Sequence, residues 1–144
     1  QEHGMRGSKD GMDMAMCIID KKTREMEYAG AYNPVYIVRD GELIEIKADK
    51  MPIGIHAIKV DKNFERKTIK LESGDMLYLF SDGYVDQFGG QDGMKFKQKA
   101  FKELLIKVSD KNMNSQLKQI DETMKNWQGD LSQLDDMMIM GIRV

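Results

Sequence analysis

Acid–base and nucleophilic catalysis usually draw on histidine, cysteine or carboxylate side chains, and the first two are scarce in this 144-residue chain, with two histidines and one cysteine. His3 lies in a polar opening stretch, and His56 sits in Gly54-Ile55-His56-Ala57 beside no second candidate ligand. A histidine needs a placed partner before it acts as a base, so both read as structural or incidental. No glycine-rich loop leads into a helix, which leaves no phosphate-cradling nucleotide site, and Gly89-Gly90 reads as a turn. Carboxylates remain. Asp82 follows the apolar run Met76-Leu77-Tyr78-Leu79-Phe80 through Ser81 and precedes Gly83. A strand ending in an aspartate delivers an oxygen ligand to a sheet rim on a rigid support, and the glycine lets the chain turn away. Asp135-Asp136 stands just before a second apolar run, and because successive strand side chains face opposite ways, one of the pair can look into a site while the other supports it. Taken singly, each signal is also a turn. Together, oxygen-only ligands from separate strand ends suit hard cations such as Mg²⁺ or Mn²⁺, which take carboxylates and keep several waters. Two such ions could hold a phosphate through an in-line displacement, chemistry that needs neither histidine nor cysteine.

Such a site requires strands that end side by side. Residues 1–12 are polar, glycine-bearing and aperiodic, and read as a flexible lead-in to one domain, or a large part of one, over 13–144. Asp13 to Asp20 is apolar on both faces, which predicts a buried strand. After the turn Lys21-Lys22-Thr23, Glu25 to Ala31 forms a second strand. Tyr36 to Val38 forms a third, and Asp40-Gly41 followed by Leu43, Ile44 and Ile46 is a hairpin signal. Thr68 to Leu71 and Met76 to Phe80 read as a strand pair joined by Ser73, Gly74 and Asp75. Beyond residue 93 the period changes: Phe96, Ala100, Phe101, Leu104, Leu105 and Val108 mark an amphipathic helix. Leu117, Ile120, Met124 and Trp127 mark a second, capped by Asn112 or Asn114 and stopped by Gly129. Met137 to Val144 is nearly all apolar and reads as a central strand. Strands, then two helices, then a returning strand imply an α+β sheet layer covered by helices.

Apolar residues make up 41% and charged residues 32%, an ordinary globular balance. No run of about eighteen apolar residues is present to span a bilayer. The formal charge of -2 argues against nucleic acid as the main partner, since phosphate-backbone binding needs a basic face. Cys17 has no disulfide partner, which fits a reducing, cytoplasmic setting. The 13 methionines, among them Met12, Met14, Met16, Met137, Met138 and Met140, read as flexible core filler rather than a soft-metal or peptide-binding surface.

Four ordered motifs then carry a resemblance. Gly74-Asp75-Met76-Leu77-Tyr78-Leu79-Phe80-Ser81-Asp82-Gly83-Tyr84-Val85-Asp86 resembles the "GD-x-L-x-L-[YF]-[ST]-D-G-[VY]-x-[DE]" segment of the SpoIIE/RsbU branch of protein phosphatase 2C-like (PPM) serine/threonine phosphatases. Asp135-Asp136-Met137-Met138-Ile139-Met140 is similar to that family's closing "DD-[MAI]-[TLM]" strand. Tyr28-Ala29-Gly30-Ala31-Tyr32-Asn33-Pro34 resembles its "A-G-H-N-P" turn, with Tyr32 where histidine is common, and Met51-Pro52-Ile53-Gly54-Ile55 its "x-P-[IL]-G-[VI]" loop. The resemblance runs from about Asp13 to Val144. It implies a central β-sandwich flanked by helices and hydrolysis of phosphoserine or phosphothreonine in a partner protein by a metal-activated water. Asp82 and Asp135 would be ligands to two Mn²⁺ or Mg²⁺ ions, with Asp136 behind them and no catalytic side chain beyond the metal ligands. It further implies an output module of bacterial signal transduction, as in two-component systems. A receiver or sensor domain would be attached, and the substrate would be anti-anti-sigma-like. The family's "D-x-x-G-H-G" motif is not in the sequence, and the chain begins at Gln1. The expectation is therefore a C-terminal portion with the N-terminal part missing, inactive alone and prone to self-association through an exposed sheet edge. Two other readings stay open: a catalytically silent phosphatase-like scaffold that binds a signalling partner, and a generic α+β binding module whose aspartates are turns.

Overall fold

The computed structural model describes residues 11–54 and 63–144, so His3 and His56 lie outside the described residues. In chain order the elements are β1 (Gly11–Met12), β2 (Met14–Asp20), β3 (Glu25–Ala31), β4 (Val35–Arg39), β5 (Glu42–Ile46), β6 (Ile53–Gly54), β7 (Lys67–Lys70), β8 (Met76–Phe80), α1 (Gly83–Asp86), β9 (Phe88–Gly89), β10 (Met94–Lys95), α2 (Gln98–Val108), α3 (Met113–Gln128) and β11 (Ile139–Arg143). They divide into two compact units, one drawn from the described residues within Gln1–Pro34 and Lys47–Lys70, the other from Val35–Ile46 and Leu71–Val144.

The first unit holds an antiparallel sheet of order β2-β3-β7 and the short pair β1-β6. Gly11 and Met12, which the sequence places in the lead-in, are therefore strand. The Asp20 carboxylate accepts the amides of Lys22 and Thr23 at 2.7 and 3.1 Å and ties the β2-β3 turn. The expectation that β2 is buried on both faces is corrected: Met16 and Ile18 are 47% and 60% exposed, while Met26 and Tyr28 of β3 are buried. β2 is the edge of its sheet, and alternation turns Met16 and Ile18 to an open face. Apolar composition on both faces does not state what covers each.

The second unit carries a sheet of order β11-β8-β4-β5, antiparallel throughout. β4 and β5 close on Asp40 and Gly41 with φ of 49° and 79°, the left-handed pair that a tight hairpin turn requires. One sheet face supplies Tyr36, Val38, Met76, Tyr78 and Phe80 to a core completed by Phe101, Leu104, Leu105, Val108 and Met124 of α2 and α3. Phe80 and Phe101 meet edge to face at 5.0 Å. Each such buried side chain contributes about 1.5–3 kcal/mol of transfer free energy. Asn112 caps α3 by accepting the Ser115 amide at 2.9 Å, and the helix stops at Gly129. Buried Gln116 of α3 accepts the Tyr78 hydroxyl at 2.7 Å and donates to the Lys111 carbonyl at 2.9 Å.

Three further expectations are corrected. The strands near residues 68–71 and 76–80 do not pair: β7 joins β3, whereas β8 lies between β4 and β11. The Ser73-Gly74-Asp75 signal locates a chain bend, but partner choice is a long-range decision. Among the described residues the Met137–Val144 segment is not a central strand, since β11 pairs there with β8 alone at the sheet edge, with Met140 52% exposed. Met26, Met76 and Met124 do fill core, yet Met12, Met16, Met138 and Met140 are about half exposed or more.

β8 is anchored firmly at its start. Arg39 donates from Nε and Nη2 to the two oxygens of Asp75 at 2.9 and 2.6 Å, and the Glu72 amide adds a bond at 2.8 Å. Asp75 is 1% exposed. Burial works against its charge, but the hydrogen bonds from Arg39 and Glu72 outweigh it and hold the carboxyl below the ordinary carboxylate range.

Candidate metal centre

The far end of β8 carries Ser81, Asp82 and Gly83, and all three are placed by the segment that enters β11. The Ser81 hydroxyl donates to the Asp136 carbonyl at 2.6 Å and accepts the Met138 amide at 2.9 Å. The Ser81 amide donates to the Met138 carbonyl at 3.0 Å. This continues the β8-β11 ladder past its last regular pair, Ile139 with Phe80. Gly83 lies against the same segment: a Cβ added there would stand 2.4 Å from the Asp136 carbonyl oxygen and 2.9 Å from its carbon. Gly83 is not among the residues with positive φ. Its lack of a side chain serves close approach, not the sharp turn that the sequence alone suggests.

The backbones that bear Asp82, Asp135 and Asp136 are thus held side by side. All three residues are exposed. Asp82 stands at the N-cap of α1 with no side-chain capping bond, so its oxygens are not spent on the helix. Asp136 donates its amide to Asp135 Oδ1 at 2.7 Å, and Gln133 holds the Asp135 carbonyl at 2.8 Å. Among the described residues, no group of three or more His, Cys, Asp and Glu is gathered so as to hold a metal. The donor chemistry nevertheless fits Mg²⁺ or Mn²⁺, because the oxygens are carboxylate and exposed, and such ions commonly take one or two carboxylates and fill the rest with water and substrate phosphate. Cys17 offers no alternative chemistry: burial pushes its thiol up to about 11, so it stays protonated at neutral pH.

Gln87 carries no motif signal, yet it organises this region. Its side chain is fully buried. Nε2 donates to the carbonyls of Ser132 and Phe88 at 2.9 and 3.1 Å, and Oε1 accepts the Leu134 amide at 3.3 Å. The Trp127 indole donates to the Gln87 carbonyl at 3.2 Å. A lone glutamine after an acidic residue has no spacing that would mark it in sequence.

With this geometry established, comparison with known proteins is informative. The family model for Stage II sporulation protein E (SpoIIE) matches residues 3–144. The chain belongs to the SpoIIE family. Its fold is the α+β fold of protein phosphatase 2C-like domains. The SiaA-PP2C domain of Pseudomonas aeruginosa superposes with a TM-score of 0.83 at 28% identity, over 92% of this chain and 51% of that one. The SpoIIE phosphatase domain of Bacillus subtilis, presoaked with Mn, gives 0.66 at 16% identity over 92% and 56%. A Bacillus subtilis SpoIIE structure that joins the PP2C domain to a fragment of the regulatory domain gives 0.69 at 20% identity over 92% and 37%. No curated protein sequence matches the chain. This SpoIIE-family chain spans about half the length of the first two solved relatives, 51% and 56%. Among its described residues no helix is long and apolar enough to cross a membrane.

Proposed function

We propose that this chain supplies the Asp82, Asp135 and Asp136 side of a metal-dependent protein serine/threonine phosphatase centre. One observation supports the reading: Ser81 bonds the Asp136 carbonyl and Gly83 lies against it, so that the backbones bearing aspartates more than fifty residues apart in sequence run side by side. Asp82 and Asp135 would hold Mn²⁺ or Mg²⁺, and Asp136 would support them from the adjoining position. When bound, the divalent cation supplies Lewis acidity toward a phosphoryl oxygen and lowers the pKa of a water. The protein's own part is placement: the Ser81 hydroxyl fixes the 136–138 backbone, Gly83 lets the two chain ends touch, and exposed Asp82 presents its oxygens without a competing helix bond.

The substrate class is phosphoserine or phosphothreonine in a partner protein of the anti-anti-sigma kind. The setting is a bacterial signalling output in the cytoplasm, governed by an attached receiver or sensor domain. The regulatory fragment in the Bacillus subtilis SpoIIE structure supports that arrangement for its family. Because the sequence contains no "D-x-x-G-H-G" motif, the chain by itself binds Mn²⁺ weakly and turns over negligibly. Calorimetry with Mn²⁺ on the chain and on Asp82→Asn tests the site, and release of phosphate from a phosphoserine peptide at millimolar Mn²⁺ tests turnover. Weak heat lost in the variant, with no turnover, is expected. Heat indifferent to Asp82→Asn would overturn the site, full turnover would overturn the inactivity, and binding without turnover in a chain that includes the absent motif would favour a silent scaffold.

A further inference from the structure

We infer that Gln87 is a positioning residue for the metal centre, fixing the backbone that leads into Asp135 and Asp136; the inference rests on the metal reading proposed above. Gln87 is one of the few polar side chains buried in the described structure, alongside Asp75 and Gln116. Burial of an amide is costly unless its donors and acceptor are used, and here both kinds are. Nε2 reaches Ser132 and Oε1 reaches Leu134, two bonds to a stretch of which Ser132, Gln133 and Leu134 are all exposed. That stretch belongs to no helix or strand of the fold, since α3 ends at Gln128 and β11 begins at Ile139. Between those elements, the segment bearing Asp135 and Asp136 is gripped from two sides. Ser81 takes it downstream, at Asp136 and Met138, and Gln87 takes it upstream, at Ser132 and Leu134.

Both grips come from the same short stretch of chain. Ser81 precedes Asp82 directly, and Gln87 is the C-cap of the single-turn helix that Asp82 begins. The backbone of Gln87 is held in turn, because its carbonyl accepts the Phe96 amide at 3.0 Å and the Trp127 indole at 3.2 Å. Positions 81–87 therefore bear one of the aspartates and bond the backbone on both sides of the other two. Groups that hydrogen-bond a metal ligand directly commonly affect metal affinity by about 10–100-fold when removed, and Gln87, which acts one step back through the backbone, belongs at or below the lower end of that range.

The matched comparison is Gln87→Met against Gln116→Met. Each removes a buried amide that bonds backbone carbonyls, but Gln116 serves Ser109 and Lys111, at the α2-α3 connection. The experiment is a Mn²⁺ titration of the full chain followed by paramagnetic broadening of amide resonances, with hydrogen exchange of residues 132–138 measured without metal. Gln87→Met is expected to raise the Mn²⁺ midpoint for broadening at 82, 135 and 136 by about 3–10-fold, at or below the low end of what removing a direct partner of a ligand does. It should also speed exchange at Leu134 and Asp136, whereas Gln116→Met lowers the melting temperature and leaves both readouts unchanged. Gln87→Glu, which keeps the acceptor for Leu134 and loses the donation to Ser132, is expected to fall between and serves if Gln87→Met does not fold. An unmoved midpoint in a folded Gln87 variant, or an equal shift in Gln116→Met, overturns the inference. Absence of broadening at residues 82, 135 and 136 in the unsubstituted chain overturns the metal reading instead. In that case, exchange at 134–136 that is no faster in Gln87→Met than in Gln116→Met overturns the positioning as well.

Discussion

Strand β8 begins and ends beside an aspartate, and the two are used in opposite ways. Asp75, just before the strand, is 1% exposed and bonded by Arg39 and the Glu72 amide. Asp82, just after Ser81, is exposed and makes no capping bond to the helix it starts. The residue type is the same and the strand is the same. What differs is whether the carboxylate's bonding capacity is consumed internally. A consumed carboxylate locks the strand in place, and an unconsumed one at the far end can then meet a ligand at a fixed position. Substituting the two carboxylates themselves should therefore separate stability, at Asp75, from binding, at Asp82.

The sharpest way to break that comparison is Arg39→Ala. It strands the buried Asp75 charge, and because Arg39 is itself 24% exposed the loss should be about 3 kcal/mol, the low end for breaking a buried pair. Urea unfolding should show this loss, and a loss below 1 kcal/mol would mean the pair is not essential to β8.

Gly83→Ala comes next. Its Cβ would meet a backbone carbonyl, which cannot swing aside as a flexible side-chain end can, so a cost of about 1–3 kcal/mol is expected from overpacking. Mn²⁺ affinity should fall with it, because the two strand ends are pushed apart. A neutral melt with unchanged affinity would remove Gly83 from its assigned role.

Ser81→Ala should cost about 0.5–1.5 kcal/mol through the hydrogen bonds lost to Asp136 and Met138, and Ser81→Thr, which keeps the hydroxyl, should cost little.

The pH response sharpens the same contrast. The folded Asp75 carboxyl lies below its unfolded value of about 3.9, so its contribution is fully present above that value and is lost as pH falls through the folded value. Acid unfolding should steepen below about pH 4, and Arg39→Ala should flatten that limb. The smallest stability effect belongs to Asp82→Asn, within about 0.5 kcal/mol for an exposed position.

Local signals in the sequence were reliable where local physics decides. Asp40-Gly41 predicted a hairpin, and both residues adopt the left-handed conformation such a turn needs. The apolar spacing from Phe96 to Trp127 predicted two helices, and Asn112 caps the second. Partnerships decided over long separations were not legible. Nothing near Leu71 says that β7 pairs with β3, and nothing near Met76 says that β8 pairs with β4 and β11. Met16 and Ile18 show the same limit, since an apolar residue on an edge strand reads like a buried one. At the candidate centre the three aspartates were visible as motif positions. The contacts that bring their backbones together were not, because Ser81-Asp136, Gly83-Asp136 and Gln87-Ser132 span forty-five residues or more.

The most direct test is a crystal of the chain soaked in Mn²⁺ and examined by anomalous scattering. A manganese peak within coordination distance of carboxylate oxygens of Asp82 and Asp135, absent in Asp82→Asn crystals, is the predicted result. Manganese bound only elsewhere, or bound between the strand ends equally well in Asp82→Asn, would contradict a metal centre built on these aspartates.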